Sequence, residues 1–228
     1  MTAHLVAHKK GSILAIDADP NSSFADALGV ACARTIVGIC EEMRAQMDRI
    51  PSGMTKERFI ELRVQESLAE TAGFDLLVMG RPEGPGCYCY VNNLLRDLIA
   101  RITKAYDFVI IDNAAGMEHI SRRTTASIDK LVLVSDYSVS GVRSTKRIDD
   151  LARELGIKVG GSYLIINRVE GPLAKLDEEI RKTGLPVAGE VPYSEKLVNW
   201  NVSNKPVFGL DDADIRRTIG TIFDNLMR

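Results

Sequence analysis

Ser12-Ile13-Leu14-Ala15-Ile16-Asp17-Ala18-Asp19-Pro20 joins an unbroken apolar run to a turn that carries two carboxylates. The arrangement recurs where Phe108-Val109-Ile110-Ile111 leads into Asp112-Asn113-Ala114-Ala115-Gly116. Asp75-Leu76-Leu77-Val78-Met79, Leu131-Val132-Leu133-Val134 and Tyr163-Leu164-Ile165-Ile166 are runs of the same kind, and Leu185 to Val191 is a weaker last one. Continuous rather than alternating hydrophobicity suits strands covered on both faces, hence a parallel sheet. Between the runs, apolar residues recur at helical spacing: Val91, Leu94, Leu95, Leu98, Ile99 and Ile102; then Val142, Thr145, Ile148, Leu151 and Leu155. Leu173, Leu176 and Ile180 form a third stripe, and Ile215, Ile219, Ile222, Phe223 and Leu226 a fourth. Gly156 and Gly184 suit the helix ends that precede them. The pattern predicts an α/β fold, a doubly wound and mostly parallel sheet flanked by helices, in a single domain over residues 1–228. Residues 35–68 read as a helical, polar insertion between two strands.

Composition narrows the function classes. The 228 residues are 45% hydrophobic and 26% charged, which excludes wholesale disorder. A net charge of -2 gives the chain no global reason to seek nucleic acid or anionic lipid. No apolar run approaches the roughly 20 residues of a membrane span, and Met1 to Ala7 is too interrupted for a secretory signal. A cytoplasmic protein without a membrane or nucleic-acid partner is expected, whose four cysteines are ligands or thiols rather than cross-links.

In open α/β sheets ligands gather at the carboxyl ends of strands, so the residues just after each run matter most. Asp112, with Gly116 four places on, either holds a magnesium-bound water beside a terminal phosphate or opens a turn. Asp17 and Asp19, two apart in extended backbone, either face a common metal or water or shape an acidic turn, with Ser22 or Ser23 opening a helix. Cys87-Tyr88-Cys89 supplies two thiolates toward one metal, and a twofold dimer would bring the other pair. Such thiolates suit zinc and also nickel; a redox pair and two unrelated thiols are the rivals. Asn167-Arg168-Val169-Glu170 departs from the guanine-reading Asn-Lys-x-Asp by an Arg and a longer Glu, so Asn167 reads as a contact to a purine edge, adenine before guanine. His119, Arg122 and Arg123 read as a solvated helix face, and Asp211-Asp212-Ala213-Asp214 as a helix start.

Taken in order, Asp17-Ala18-Asp19-Pro20, Gly86-Cys87-Tyr88-Cys89, the run from Asp112 to His119, and Ile166-Asn167-Arg168-Val169 resemble the nickel-insertion accessory ATPases of carbon monoxide dehydrogenase, the CooC type. These stand with the MinD, ParA and nitrogenase iron proteins among dimerising P-loop ATPases, and the resemblance runs from Gly11 onward. It implies ATP or ADP with Mg2+ as ligands, a homodimer, and carbon monoxide dehydrogenase as client. By the same resemblance Asp19 orients the attacking water, Asp17 belongs to the same switch, and Asp112 lies near magnesium with Gly116 in a second switch. Asn167 and the turn at Pro192 would border the adenine, and Cys87 and Cys89 would hold half of an intersubunit Ni2+ or Zn2+ site. Ala115 stands where the iron proteins carry a cluster cysteine, which disfavours an electron carrier.

One departure bears on catalysis. The family opens with a strand and a Gly-Lys-Gly-Gly-x-Gly-Lys-Thr loop, whereas this sequence contains no Gly-Lys pair. Met1 to Ala7 resembles the remainder of the helix after that loop, and the expectation is that a fuller chain carries the loop upstream. Whether the 228 residues act as an enzyme is left open, because the loop supplies the phosphate cradle and its lysine. The family's first strand is central, so a sheet without it should bare apolar edges. A MinD- or ParA-like positioning ATPase and a non-hydrolysing metallochaperone or scaffold are the alternatives.

Overall fold

A computed structural model of the chain describes residues 1–32, 34–45, 53–81, 98–113 and 127–228. They form two compact units, one of Thr2–Thr124 with Asn204–Phe208, the other of Met1, Thr125–Ser203 and Gly209–Arg228.

The first unit holds α1 (Thr2–Ala7), β1 (Ile13–Asp17), α2 (Ser23–Leu28), α3 (Ile36–Ala45), α4 (Lys56–Glu66), β2 (Ala69–Glu70), β3 (Asp75–Val78) and β4 (Phe108–Asp112). Residues 98–103 are also helical. The strand order is β2-β3-β1-β4. β1 runs parallel to both β3 and β4, and the two-residue β2 is antiparallel to β3. Paired on both sides, β1 is buried at all five residues, as its continuous hydrophobicity requires. Leu14, Ile16 and Leu77 from the sheet pack with Ile36, Ile39, Ile60, Val64, Leu98 and Ile99 from the helices. The segment read as a polar insertion holds the helices α3 and α4 among its described residues, but Ile36, Ile39, Ile60 and Val64 are core residues. Polar residues dominate its average while a narrow apolar stripe does the packing. β2 escaped the sequence because two residues carry no periodicity.

The second unit holds β5 (Ser127–Asp136), α5 (Val139–Glu154), β6 (Lys158–Val169), a 3-10 turn at Leu173–Leu176, α6 (Asp177–Thr183), β7 (Val187–Pro192), α7 (Glu195–Val202) and α8 (Ala213–Leu226). Its strands run parallel in the order β5-β6-β7. Ile215, Ile222 and Leu226 of α8 close over Ile165, Ala188 and Val191 of the sheet. The α8 stripe matches the predicted one, and Gly156 and Gly184 adopt the left-handed conformation after their helices. The stripe of α5 is rotated from expectation: its buried residues are Val142, Thr145, Asp149 and Ala152. Asp149 tolerates burial because it accepts a hydrogen bond from Ser162 Oγ and lies in reach of the Arg153 guanidinium at 3.2 Å.

Each sheet ends, among the described residues, on an apolar edge. β4 pairs with β1 alone, and all five of its residues are half-exposed. β5 pairs with β6 alone, and its Val134 is 59% exposed. No helix among the described residues is long and apolar enough to cross a membrane.

Candidate functional site

The carboxyl ends of β1 and β4 bring Asp17, Asp19 and Asp112 together. Asp17 and Asp112 are register partners on parallel strands, and the Ala18 N–H just past β1 donates to the Asp112 carbonyl at 2.8 Å. β3 ends beside them, where the Met79 N–H donates to the Asp17 carbonyl at 2.8 Å. Three residues that are distant in sequence or on a turn become one acidic cluster because parallel strands align their carboxyl ends.

The three carboxylates do different work. Asp17 is fully buried. Its Oδ1 accepts the Asp19 N–H at 3.1 Å and its Oδ2 accepts the Ala25 N–H at 2.8 Å. Ala25 lies in the first turn of α2, so Asp17 takes over an N–H that a helix cap would normally satisfy. Ser22, at the cap position, has φ 54 and makes no side-chain cap bond. Asp17 is brought to the site, yet both oxygens accept backbone N–H groups, from Asp19 and from Ala25. Asp19 is half-buried, and its Oδ1 accepts the Asn21 N–H at 2.7 Å, an Asx turn that orients the carboxylate. Asp112 is half-buried, and its carboxylate accepts no hydrogen bond among the described residues.

Burial pushes the Asp112 carboxyl above the ordinary aspartate range, and the charges of Asp17 and Asp19 push it further. Burial likewise raises Asp17, against the lowering effect of its N–H donors. Uncompensated negative charge at the strand tips is an environment that a divalent cation would relieve. Among the described residues no three His, Cys, Asp or Glu side chains form a metal cage. The chemistry of these donors would suit Mg2+, with Asp112 the carboxylate placed to offer it charge, and no all-protein metal site is formed among the described residues.

In the other unit, Asn167 and Pro192 come to the tips of adjacent strands. β6 is irregular between Ile166 and Val169, Val169 pairs with Pro192, and the Tyr193 N–H donates to the Val169 carbonyl at 3.0 Å. Arg168 takes φ 56, and its N–H donates to Asn167 Oδ1 at 2.9 Å. A backbone N–H can only donate, so the facing atom is the amide oxygen, and the remaining hydrogen-bonding group of the Asn167 side chain is its NH2 donor. Asp136, the register partner of Asn167, accepts from Ser138 Oγ at 2.6 Å and so belongs to the start of α5.

Cys87, Cys89 and Gly116, with His119, Arg122 and Arg123, lie outside the described residues. Sequence reasoning did not anticipate that Ala25 would engage Asp17; nothing in the identity of an alanine signals a backbone donor.

Comparison with known proteins agrees with this architecture. Residues 1–207 match the CobQ/CobB/MinD/ParA nucleotide-binding domain model. An uncharacterised ATP-binding protein of Methanocaldococcus jannaschii is 42% identical over 207 residues, covering 90% of this chain and 82% of that protein. The carbon monoxide dehydrogenase accessory protein CooC of Rhodospirillum rubrum is 31% identical over 208 residues, covering 86% of this chain and 78% of that protein. A ParA-family ATPase structure from Chlorobium tepidum shares the fold at a TM-score of 0.70 and 19% identity, covering 100% of this chain and 89% of the other. With parallel strands, flanking helices and an acidic cluster at the strand tips, the chain belongs to the CobQ/CobB/MinD/ParA family of nucleotide-binding domains and has its P-loop NTPase-like α/β fold.

Proposed function

We propose that this chain is a cytoplasmic, ATP-dependent, homodimerising maturation factor that binds a transition metal through paired Cys87 and Cys89 thiols and assists nickel insertion into carbon monoxide dehydrogenase. The observation that carries this reading is the 31% identity to CooC over 208 residues together with the Cys87-Tyr88-Cys89 loop. Two such loops across a twofold axis supply the four thiolates that a tetrahedral Zn2+ or a square-planar Ni2+ takes. Magnesium would supply charge neutralisation on the phosphates. Asp112 would hold a water of that ion, Asp19 would orient the attacking water and accept its hydrogen bond, and Asn167 with the Pro192 turn would receive the adenine. Asp17 keeps the Asp19 turn in place. Positioning and charge stabilisation account for most of phosphoryl-transfer catalysis.

The test is metal stoichiometry and mass in solution. The expected result is about one divalent ion per dimer, lost in Cys87→Ala. A monomer that keeps one ion per chain without the thiols overturns the reading. The relatives named MinD, 27% identical in one case over 52% of this chain, favour a positioning ATPase as the second reading. Co-sedimentation with anionic liposomes or DNA separates the two. A non-hydrolysing metallochaperone shows the cysteine-dependent ion with no nucleotide effect on it.

A further inference from the structure

We propose that His4 and His8 form a two-imidazole site for a borderline divalent transition-metal ion such as Ni2+ or Zn2+. The site is separate from the Cys87 and Cys89 thiols and does not rest on the maturation reading. The two histidines stand four residues apart at the end of α1, and the His8 N–H continues the helical ladder by donating to the His4 carbonyl at 3.1 Å. That spacing puts both side chains on one helix face. Their ring centroids are 4.2 Å apart with a tilt of 33°. Side-by-side rings at this separation let one nitrogen from each reach a shared ion as cis ligands, the geometry by which i, i+4 histidines chelate metals.

A second observation prepares His8 for ligation. Its Nδ1 lies 2.8 Å from the same His4 carbonyl. A carbonyl oxygen only accepts, so Nδ1 carries the proton and Nε2 carries the lone pair. Metal-bound imidazoles characteristically give their second N–H to a carbonyl or carboxylate in this way, which fixes ring and tautomer before the ion arrives. His8 is exposed and His4 half-buried, so an ion approaches from solvent and keeps its remaining positions for water or a donor from another molecule. Lys9 and Lys10 follow in the chain and are exposed. Their positive charge favours modest affinity, and imidazole nitrogen donors suit a borderline ion rather than the hard Mg2+ or Ca2+.

The experiment is a Ni2+ titration of the Cys87→Ala/Cys89→Ala protein, which leaves the imidazoles in place and removes the thiols. One ion per chain is expected. His4→Gln and His8→Gln, both surface replacements whose folding is checked by circular dichroism, each weaken binding about tenfold or more because a chelate becomes a single contact. Paramagnetic Ni2+ broadens the His4 and His8 ring signals in the NMR spectrum. Binding unchanged by both substitutions, or ring signals left sharp at saturation, overturns the proposal.

Discussion

Asp17 and Asp112 lie side by side as register partners on parallel strands, and only one of them is neutralised by hydrogen bonds: Asp17 accepts two backbone N–H groups while Asp112 accepts none among the described residues. The pair separates the two jobs of an acidic strand tip. One carboxylate holds the backbone, and its neighbour accepts no hydrogen bond from the described residues.

Asp112→Asn should stabilise the unliganded chain at neutral pH by roughly 0.5–1 kcal/mol, because it removes a charge that burial and two other aspartates oppose. The pH dependence has a definite sign. A raised folded-state value means that the folded state binds more protons than the unfolded one between the ordinary aspartate value and the raised one, so stability falls as pH rises through that window. Urea midpoints measured across that window should show a shallower fall for the variant. An equal slope and a lower midpoint would contradict the repulsion.

Asp17→Ala should cost about 1–3 kcal/mol, since it strands the Asp19 and Ala25 N–H groups at a fully buried position. Asp19→Ala should cost well under that, because Asp19 is half-buried and its one bond is to a turn N–H. Equilibrium unfolding of the two variants side by side ranks them; equal losses would remove the distinction drawn between the two carboxylates.

Gly80→Ala tests the end of β3. Gly80 has φ +79, and an added Cβ would lie 2.6 Å from the Thr35 side chain, whose Oγ1 accepts the Gly38 N–H at the start of α3. Strain and clash together should cost about 1–3 kcal/mol. A thermal midpoint matching that of the unsubstituted chain would show that the turn relaxes freely.

Glu179 of α6 is held to about 2 by its hydrogen bonds to Arg143 of α5 and Lys182. A depressed value stabilises the fold above the ordinary glutamate range and is lost as pH falls toward about 2. In Arg143→Gln the carboxyl-carbon NMR titration of Glu179 should move upward. A titration at the same pH would assign the depression to something other than the guanidinium.

Local pattern was enough for most of the architecture. Unbroken apolar runs marked β1, β3, β4, β5 and β6, and a stripe at helical spacing marked α8, because hydrophobic period is a property of neighbouring residues; the stripe Leu173, Leu176 and Ile180 instead spans a 3-10 turn and the start of α6. The same runs located Asp17, Asp19, Asp112 and Asn167 at strand ends, where parallel sheets present ligands. The burial of Asp149 was not legible. Its partner Ser162 lies on another strand, and the apolar pattern of α5 gave no reason to turn a carboxylate inward. Nor did residues 35–68 reveal their four core side chains, since charge dominates that stretch.

Sequence order alone thus settled that carboxylates terminate strands. Folding settled which of those groups are committed. Asp17 is committed to α2 because Ala25 donates to it from eight residues away. Among the described residues Asp112 accepts no hydrogen bond, and the His8 Nδ1 is held by a carbonyl one helical turn back. Hydrogen bonds to backbone depend on where the chain passes rather than on which side chain it carries, and no reading of residue types can supply that.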